Sequence, residues 1–428
     1  MSNPQPRVNL RQLRNQAKDL HHHSQSNLRS RHPGAHPAAP SAFRRRHAEA
    51  GRGGILPSGS AVRHWPRKRP RQLAEAGTAV EDREARFLKD ELRALENLHD
   101  PLAELLQAPV TAFRSGRGVV SEDHALGVSS VAARALFDEV DVLVGIGSRL
   151  EMIYMRWNSM QLYEKSPQGG PTLIRIDIDE KEMERLVPDI PVVGDAATAC
   201  TALYNALLNK VKPNPDRASL IAAAKVKTRH VIDKIQPQMA YLDVIREVLP
   251  RDGFLVPEVS QMGFTSYYGI PIYEPRTYVT EGFQGTLGYG FQTALGVKVA
   301  CPDKAVIAVT GDGGLMFGIQ ELATAVSHNI GVITLVFNNQ GFANIRRDQT
   351  NAYAGRLIGA DFDNPDFVKL AESFGARGYL CDSPQTLRPI LEKALLEDKP
   401  ALIEIKQTRG SEVSPWEFIM LKENPFTQ

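Results

Sequence analysis

The sequence predicts an α/β fold: two parallel-sheet, three-layer domains behind a disordered basic leader. Three observations carry this. Between residues 108 and 210, short apolar runs alternate with helical patterns, as in a parallel sheet covered by helices. Two further apolar runs, 305–310 and 332–337, flank a helical pattern and stop at Gly311-Asp312-Gly313-Gly314 and Asn338-Asn339. Residues 1–72 carry 15 Lys/Arg against two acids (Asp19 and Glu49), whereas the remaining 356 carry 36 against 47.

The leader comes first in the chain. It holds His21-His22-His23, Arg44-Arg45-Arg46 and Arg67-Lys68-Arg69, but too few apolar residues to offset the entropy of ordering. A basic arm for nucleic acid and an Arg-rich transit peptide are the functional readings. A disordered or non-native leader is the preferred one, so nucleic-acid binding is not expected. The 428 residues allow two or three domains. No apolar run reaches the roughly 18 residues of a spanning helix, so no membrane segment is expected. Cys200, Cys301 and Cys381 lie far apart with no C-x-x-C pair, which fits a reducing, cytoplasmic setting rather than a disulfide framework.

The expected layout is a leader over 1–75, a middle domain over 76–210, a linker over 211–238 and a C-terminal domain over 239–428. A charged stretch with Leu88, Leu92, Leu95 and Leu98 opens the middle domain as an amphipathic helix. Strands follow over 141–147, 172–179 and 191–195. Gly145-x-Gly147 after the first invites a dinucleotide fingerprint, but the third glycine position is Leu150, and a close-packing requirement is lost. Asp177 and Asp179 could act as paired acid and base, although capping the following helix is the commoner use of such carboxylates. Residues 211–238 are polar, contain proline and are weakly patterned.

The chemistry is concentrated in the last domain. Parallel strands over 305–310 and 332–337 would end side by side at the carboxyl edge, where open α/β sheets bind ligands. Gly311, Gly313 and Gly314 let the backbone approach a diphosphate and aim N–H groups at it. A helix starting near Gly318, with Ile319, Leu322, Ala323 and Val326 in register, adds its positive end. Asp312 and the Asn339 oxygen are hard ligands suited to Mg²⁺, and Gly341 offers an unobstructed carbonyl. Alone, Gly-Asp-Gly is a turn and Asn-Asn a strand terminus, and no G-K-[S/T] follows to make a P-loop. The spacing is what distinguishes the pair: 24 residues lie between Gly313 and Asn338.

That spacing resembles the thiamine diphosphate motif. The neighbouring stretches Gly285-Thr286-Leu287-Gly288-Tyr289-Gly290, Arg175-Ile176-Asp177-Ile178-Asp179 and Asn364-Pro365-Asp366-Phe367-Val368-Lys369-Leu370-Ala371 resemble the acetolactate synthase-like branch of thiamine diphosphate-dependent enzymes, over about residues 88–428. The resemblance implies a decarboxylase or carboligase acting on a 2-oxo acid, with Asp312, Asn339 and the Gly341 carbonyl holding Mg²⁺ on the cofactor diphosphate. It implies that Leu287 bends the cofactor, that the Gly285 carbonyl accepts from its amino group and that Gln261 contacts the diphosphate. The loop 340–356, with Arg346, Arg347 and Asp348, could close over substrate.

The sequence also departs from the family. Relatives carry an N-terminal pyrimidine-binding domain with an activating glutamate, and that domain is expected to be absent here. The middle domain is expected to lack its first strand. Ser148-Arg149-Leu150-Glu151 only partly matches the flavin-binding segment, which argues against FAD. No catalytic side chain is assigned. Either a partner chain supplies the missing half, with homo-oligomers expected through the diphosphate domains, or the chain is a non-catalytic remnant that keeps the cofactor fold.

Overall fold

The computed structural model describes residues 101–421 apart from 213, 215, 283 and 284. The leader, the start of the middle domain and most of the amphipathic stretch around Leu88–Leu98 lie outside the described residues. Among the described residues the strands form three sheets, all with parallel pairing.

The first two sheets are small. β1 (Val110–Thr111) pairs with β2 (Gly127–Val128), and β3 (Val142–Ile146), β4 (Thr172–Asp177) and β5 (Ile190–Val193) form the second. Within β4, Leu173 and Ile176 are buried, and so is Arg175, whose guanidinium donates to the Ser148 carbonyl at 2.9 Å and meets Glu182 at 3.2 Å. The dinucleotide reading of Gly145-x-Gly147 gains no support here. Leu150 packs directly over Gly145, and the helix that follows, Glu151–Tyr154, is only four residues long. Asp177 and Asp179 serve the local backbone: Asp179 accepts from the Lys181 N–H at 3.0 Å, and Asp177 from the Asp179 N–H at 3.1 Å.

The third sheet has the order β6-β7-β8-β10-β9, with β6 (Phe254–Pro257), β7 (Val306–Gly311), β8 (Ile333–Asn338), β9 (Arg377–Cys381) and β10 (Ala401–Lys406). Its inner strands are mostly apolar because both faces are covered, with Thr310, Thr334, Asn338 and Glu404 as buried polar exceptions. Side chains alternate between two cores, as the two-residue period requires. Ile307, Val309, Ile333, Leu335, Phe337, Ile403 and Ile405 face helices Gln238–Val248, Gln261–Gly269 and Pro384–Glu397. Val306, Ala308, Val336 and Leu402 face helices Gly290–Ala300, Leu322–Ser327 and Phe367–Phe374. The result is the three-layer arrangement expected.

Two local expectations change and one is extended. The stretch 211–238 carries the 17-residue helix Asp216–Ile232, whose buried stripe of Ile221, Ala224, Thr228 and Ile232 is too narrow and too polar to stand out as a pattern. After β7 the chain adds a short helical turn, Asp312–Leu315, ahead of the expected helix, which does begin at Gly318: it caps Ile319–Glu321, and Leu322–Ser327 follows. The stretch with Arg346, Arg347 and Asp348 is the helix Ala343–Ala352, which buries no residue.

The β1–β2 connection is tied to the segments around Ser266 and Tyr278 by Arg117, which is 1% exposed. It pairs with Glu122 at 2.6 Å, donates to the Ser266 carbonyl at 2.7 Å and lies 4.8 Å from the Tyr278 ring centre.

Candidate functional site

β7 and β8 run in register, with Gly311 opposite Phe337. Their carboxyl ends therefore deliver Asp312 and Asn338-Asn339 side by side. A cleft of about 190 Å³ opens there, and eight of the nine residues singled out from sequence line it: Gln261, Leu287, Gly311, Asp312, Gly313, Gly314, Asn339 and Gly341. Gly285 does not. It is exposed in a left-handed turn at φ +60°. The apolar wall adds Met262, Phe337, Phe342 and Ile345 to Leu287.

Asp312 is 2% exposed. Its Oδ1 accepts from the Gly313 N–H at 2.9 Å, and its Oδ2 from the Gly341 N–H at 3.2 Å and from Asn364 Nδ2 at 2.7 Å. Asn364 also donates to Asn338 Oδ1 at 2.9 Å, so one amide bridges both halves of the motif. Burial raises the Asp312 carboxyl above its ordinary value, and these donors only partly oppose it. A bound cation would favour the charged form.

Asn339 is buried, and its Nδ2 donates to Glu412 Oε2 at 2.6 Å. Among the described residues its Oδ1 is buried without a partner, as is Gln261 Oε1. Unpaired buried acceptors are costly unless something supplies a partner. Two in one cleft suit a cation or a hydrogen-bond donor. Burial, reinforced by the charge of Asp312 and opposed by the Asn339 N–H, lifts the Glu412 carboxyl to about 7.

Glu258, at the end of β6, organises the Leu287 loop. It is 2% exposed and accepts from the backbone N–H groups of Gly288, Tyr289 and Gly290 and from Thr310 Oγ1 at 2.9 Å. Burial raises its carboxyl, and those donors act against the shift. A Cβ at Gly314 would lie 2.7 Å from Glu258 Oε1, so only glycine fits beside this carboxylate. Nearby, Asn344 Oδ1 accepts from Trp416 Nε1 at 2.8 Å and from Gln261 Nε2 at 3.4 Å.

Sequence reasoning passed over Glu258, Asn344, Asn364, Glu412 and Trp416. Glu258 directly precedes the Val259-Ser260-Gln261 stretch, and Asn364 opens a stretch noted only for its resemblance. Glu412 and Trp416 follow the last strand and carry no local signal.

The site thus combines a glycine cradle at a helical turn, a buried carboxylate, two unpaired amide oxygens and an apolar wall. Two family models match the chain: the C-terminal TPP binding domain of thiamine pyrophosphate enzymes over residues 258–405, and their central domain over residues 93–203. The chain belongs to the thiamine pyrophosphate enzyme family. Its relatives include a probable acetolactate synthase large subunit of Methanococcus aeolicus, 31% identical over 81% of this chain and 59% of the relative. Another probable large subunit, of Methanocaldococcus jannaschii, is 32% identical over 71% and 54%. The acetolactate synthase large subunit of Lactococcus lactis is 31% identical over 73% and 55%. This chain therefore spans somewhat more than half the length of these relatives. The matched C-terminal region includes the residues from Glu258 to Asn364, and the family resemblance extends to residues 93–203. Among the described residues no helix is long and apolar enough to cross a membrane.

Proposed function

We propose that this chain carries the diphosphate- and Mg²⁺-binding half of a thiamine diphosphate-dependent 2-oxo-acid decarboxylase or carboligase of acetolactate synthase type. The observation behind this reading is the pairing of buried Asp312 with the partnerless Oδ1 of buried Asn339 on one cleft. Mg²⁺ prefers few protein oxygens alongside phosphate and water. Asp312, Asn339 Oδ1 and the Gly341 carbonyl would hold it, and Gly313 and Gly314 would leave room for the diphosphate. When bound, the cofactor supplies the carbanion chemistry that releases carbon dioxide from a 2-oxo acid.

The protein's share is placement and polarity. Glu258 fixes the backbone of Gly288, Tyr289 and Gly290 and so sets where Leu287 enters the cleft. Leu287, Met262 and Phe342 exclude water from its apolar side. Gly285, although outside the lining, would offer its carbonyl from the same loop.

A second polypeptide surface over the mouth is part of the proposal, whether from another copy or from a chain supplying a pyrimidine-binding half. Met316, Phe317, Ile345, Tyr353 and Ile358 are exposed, the last at 82%. Ile345 also lines the cleft, so a second polypeptide surface covering it would reach the mouth.

Calorimetric titration with thiamine diphosphate and Mg²⁺ tests the reading. Saturable, Mg²⁺-dependent binding that Asp312→Ala abolishes supports it; no binding by the unmodified chain overturns it. Carbon dioxide release from pyruvate then distinguishes an enzyme from a remnant that only binds.

A further inference from the structure

The segment after β10 returns across the Asn339 end of the cleft, touching the loop after β8 twice and the helix Ala343–Ala352 once. Arg409 Nη2 donates to the Gln340 carbonyl at 2.7 Å, Glu412 accepts from Asn339 at 2.6 Å, and Trp416 Nε1 donates to Asn344 at 2.8 Å. The segment is itself held from outside. Gln238 Nε2 donates to the Val413 carbonyl at 2.6 Å, and Tyr268 donates to the Pro415 carbonyl at 3.0 Å.

The middle contact differs in kind from the other two. An asparagine amide has a donating and an accepting end, and its neighbours decide which way each points. Glu412 Oε2 accepts from Asn339 Nδ2, which leaves Oδ1 buried, unpartnered among the described residues and on the cleft. The reversed amide would set its oxygen against a carboxylate and present N–H groups where a cation is expected. We propose that Glu412 is a positioning residue for the cation, holding the Asn339 amide with its oxygen free to ligate and making cation affinity depend on the seating of the C-terminal segment.

The inference rests on the proposed function and goes beyond it, because Glu412 lies outside both family-matched regions. Mn²⁺ is the probe, titrated into the full-length chain with saturating thiamine diphosphate and followed by electron paramagnetic resonance. Removing an outer-shell partner costs metal affinity about tenfold or more, so Glu412→Ala is expected to bind Mn²⁺ about tenfold more weakly. Glu412→Gln retains an accepting oxygen and should stay within about threefold of the unmodified chain. Placed on an Asn339→Ala background, Glu412→Ala should add nothing beyond about twofold, as expected of residues acting through one another.

Unchanged affinity in Glu412→Ala overturns the proposal, and so does full additivity with Asn339→Ala. Equal losses in the alanine and glutamine variants also overturn it, since charge rather than amide orientation would then be acting. An unmodified chain that binds neither Mn²⁺ nor thiamine diphosphate overturns this inference and the proposed function together, an outcome distinct from the others. Circular dichroism of the cation-free variants shows whether an affinity loss reflects misfolding, and Glu412→Gln keeps the test decisive if the alanine variant does not fold.

Discussion

Gly341 donates its backbone N–H to Asp312 Oδ2 at 3.2 Å, joining the loop after β8 to the residue that follows β7. The contact needs glycine: a Cβ at 341 would lie 2.6 Å from the Ala360 carbonyl oxygen. Gly341→Ala should displace this loop and lower stability by about 1–3 kcal/mol, the usual cost of forced overpacking. Urea unfolding measures the loss. Calorimetry should show weaker thiamine diphosphate binding in the same variant, because Asp312 loses a donor.

Glu258 collects four donors from two separate segments, the Leu287 loop and β7. Glutamine has the same shape but replaces one accepting oxygen with an NH₂, which confronts N–H groups. Glu258→Gln should therefore destabilise the fold by about 1–3 kcal/mol, the cost of leaving buried donors unpaired. Thermal unfolding reads this directly, and an unchanged midpoint would mean that the loop is held by other contacts.

Asn364 holds Asp312 and Asn338 with one amide. Asn364→Ala leaves the Asp312 carboxylate buried with one donor fewer, raising its carboxyl further. Cation affinity should drop by about tenfold, as for other outer-shell losses. A Mn²⁺ titration with thiamine diphosphate present provides the measurement.

Arg117 shares a buried ion pair with Glu122, whose side chain is 8% exposed. Arg117→Met should cost about 3–5 kcal/mol, because it strands a buried carboxylate. Chemical denaturation should place this well beyond the effect of an exposed pair. A loss below 1 kcal/mol would show that Glu122 gains water or another partner.

The Arg251 guanidinium lowers the Asp123 carboxyl from 3.8 to about 2, and the pair meets at 2.6 Å on the surface. A depressed carboxyl stabilises the fold above its ordinary value, and that contribution disappears as pH falls through the depressed one. Exposed pairs contribute about 0–1 kcal/mol, so Asp123→Asn should lose at most that much at neutral pH. The difference from the unmodified chain should shrink between about pH 4 and pH 2. Unfolding curves at pH 7, 4 and 2.5 test the sign as well as the size.

Much of this protein is legible along the chain. β7 and β8 appear as nearly continuous apolar runs, interrupted in β8 by Thr334, because both faces of each strand are buried. Asp312 and Asn339 could be brought together from their two strand ends, since adjacent parallel strands deliver their ends to one edge, and their spacing added the family resemblance. The helix Asp216–Ile232 was not legible, because alanine and threonine fill half of its buried stripe. The helix Ala343–Ala352 was not legible either, as it has no buried face at all.

The donors and acceptors that complete the site come from far away in sequence. Glu258 meets Thr310 across 52 residues, Asn364 meets Asp312 across 52, and Glu412 meets Asn339 across 73. Periodicity reports which side of its own element a residue occupies, and only that. The partner of a buried carboxylate is chosen by which loops the sheet brings to a common edge. Local sequence was therefore enough to place β3, β4, β5, β7 and β8 and to bring the glycine turn, Asp312 and Asn339 to one edge. Tertiary packing alone decided which side chains orient them, because a hydrogen bond between distant segments leaves no pattern in either one.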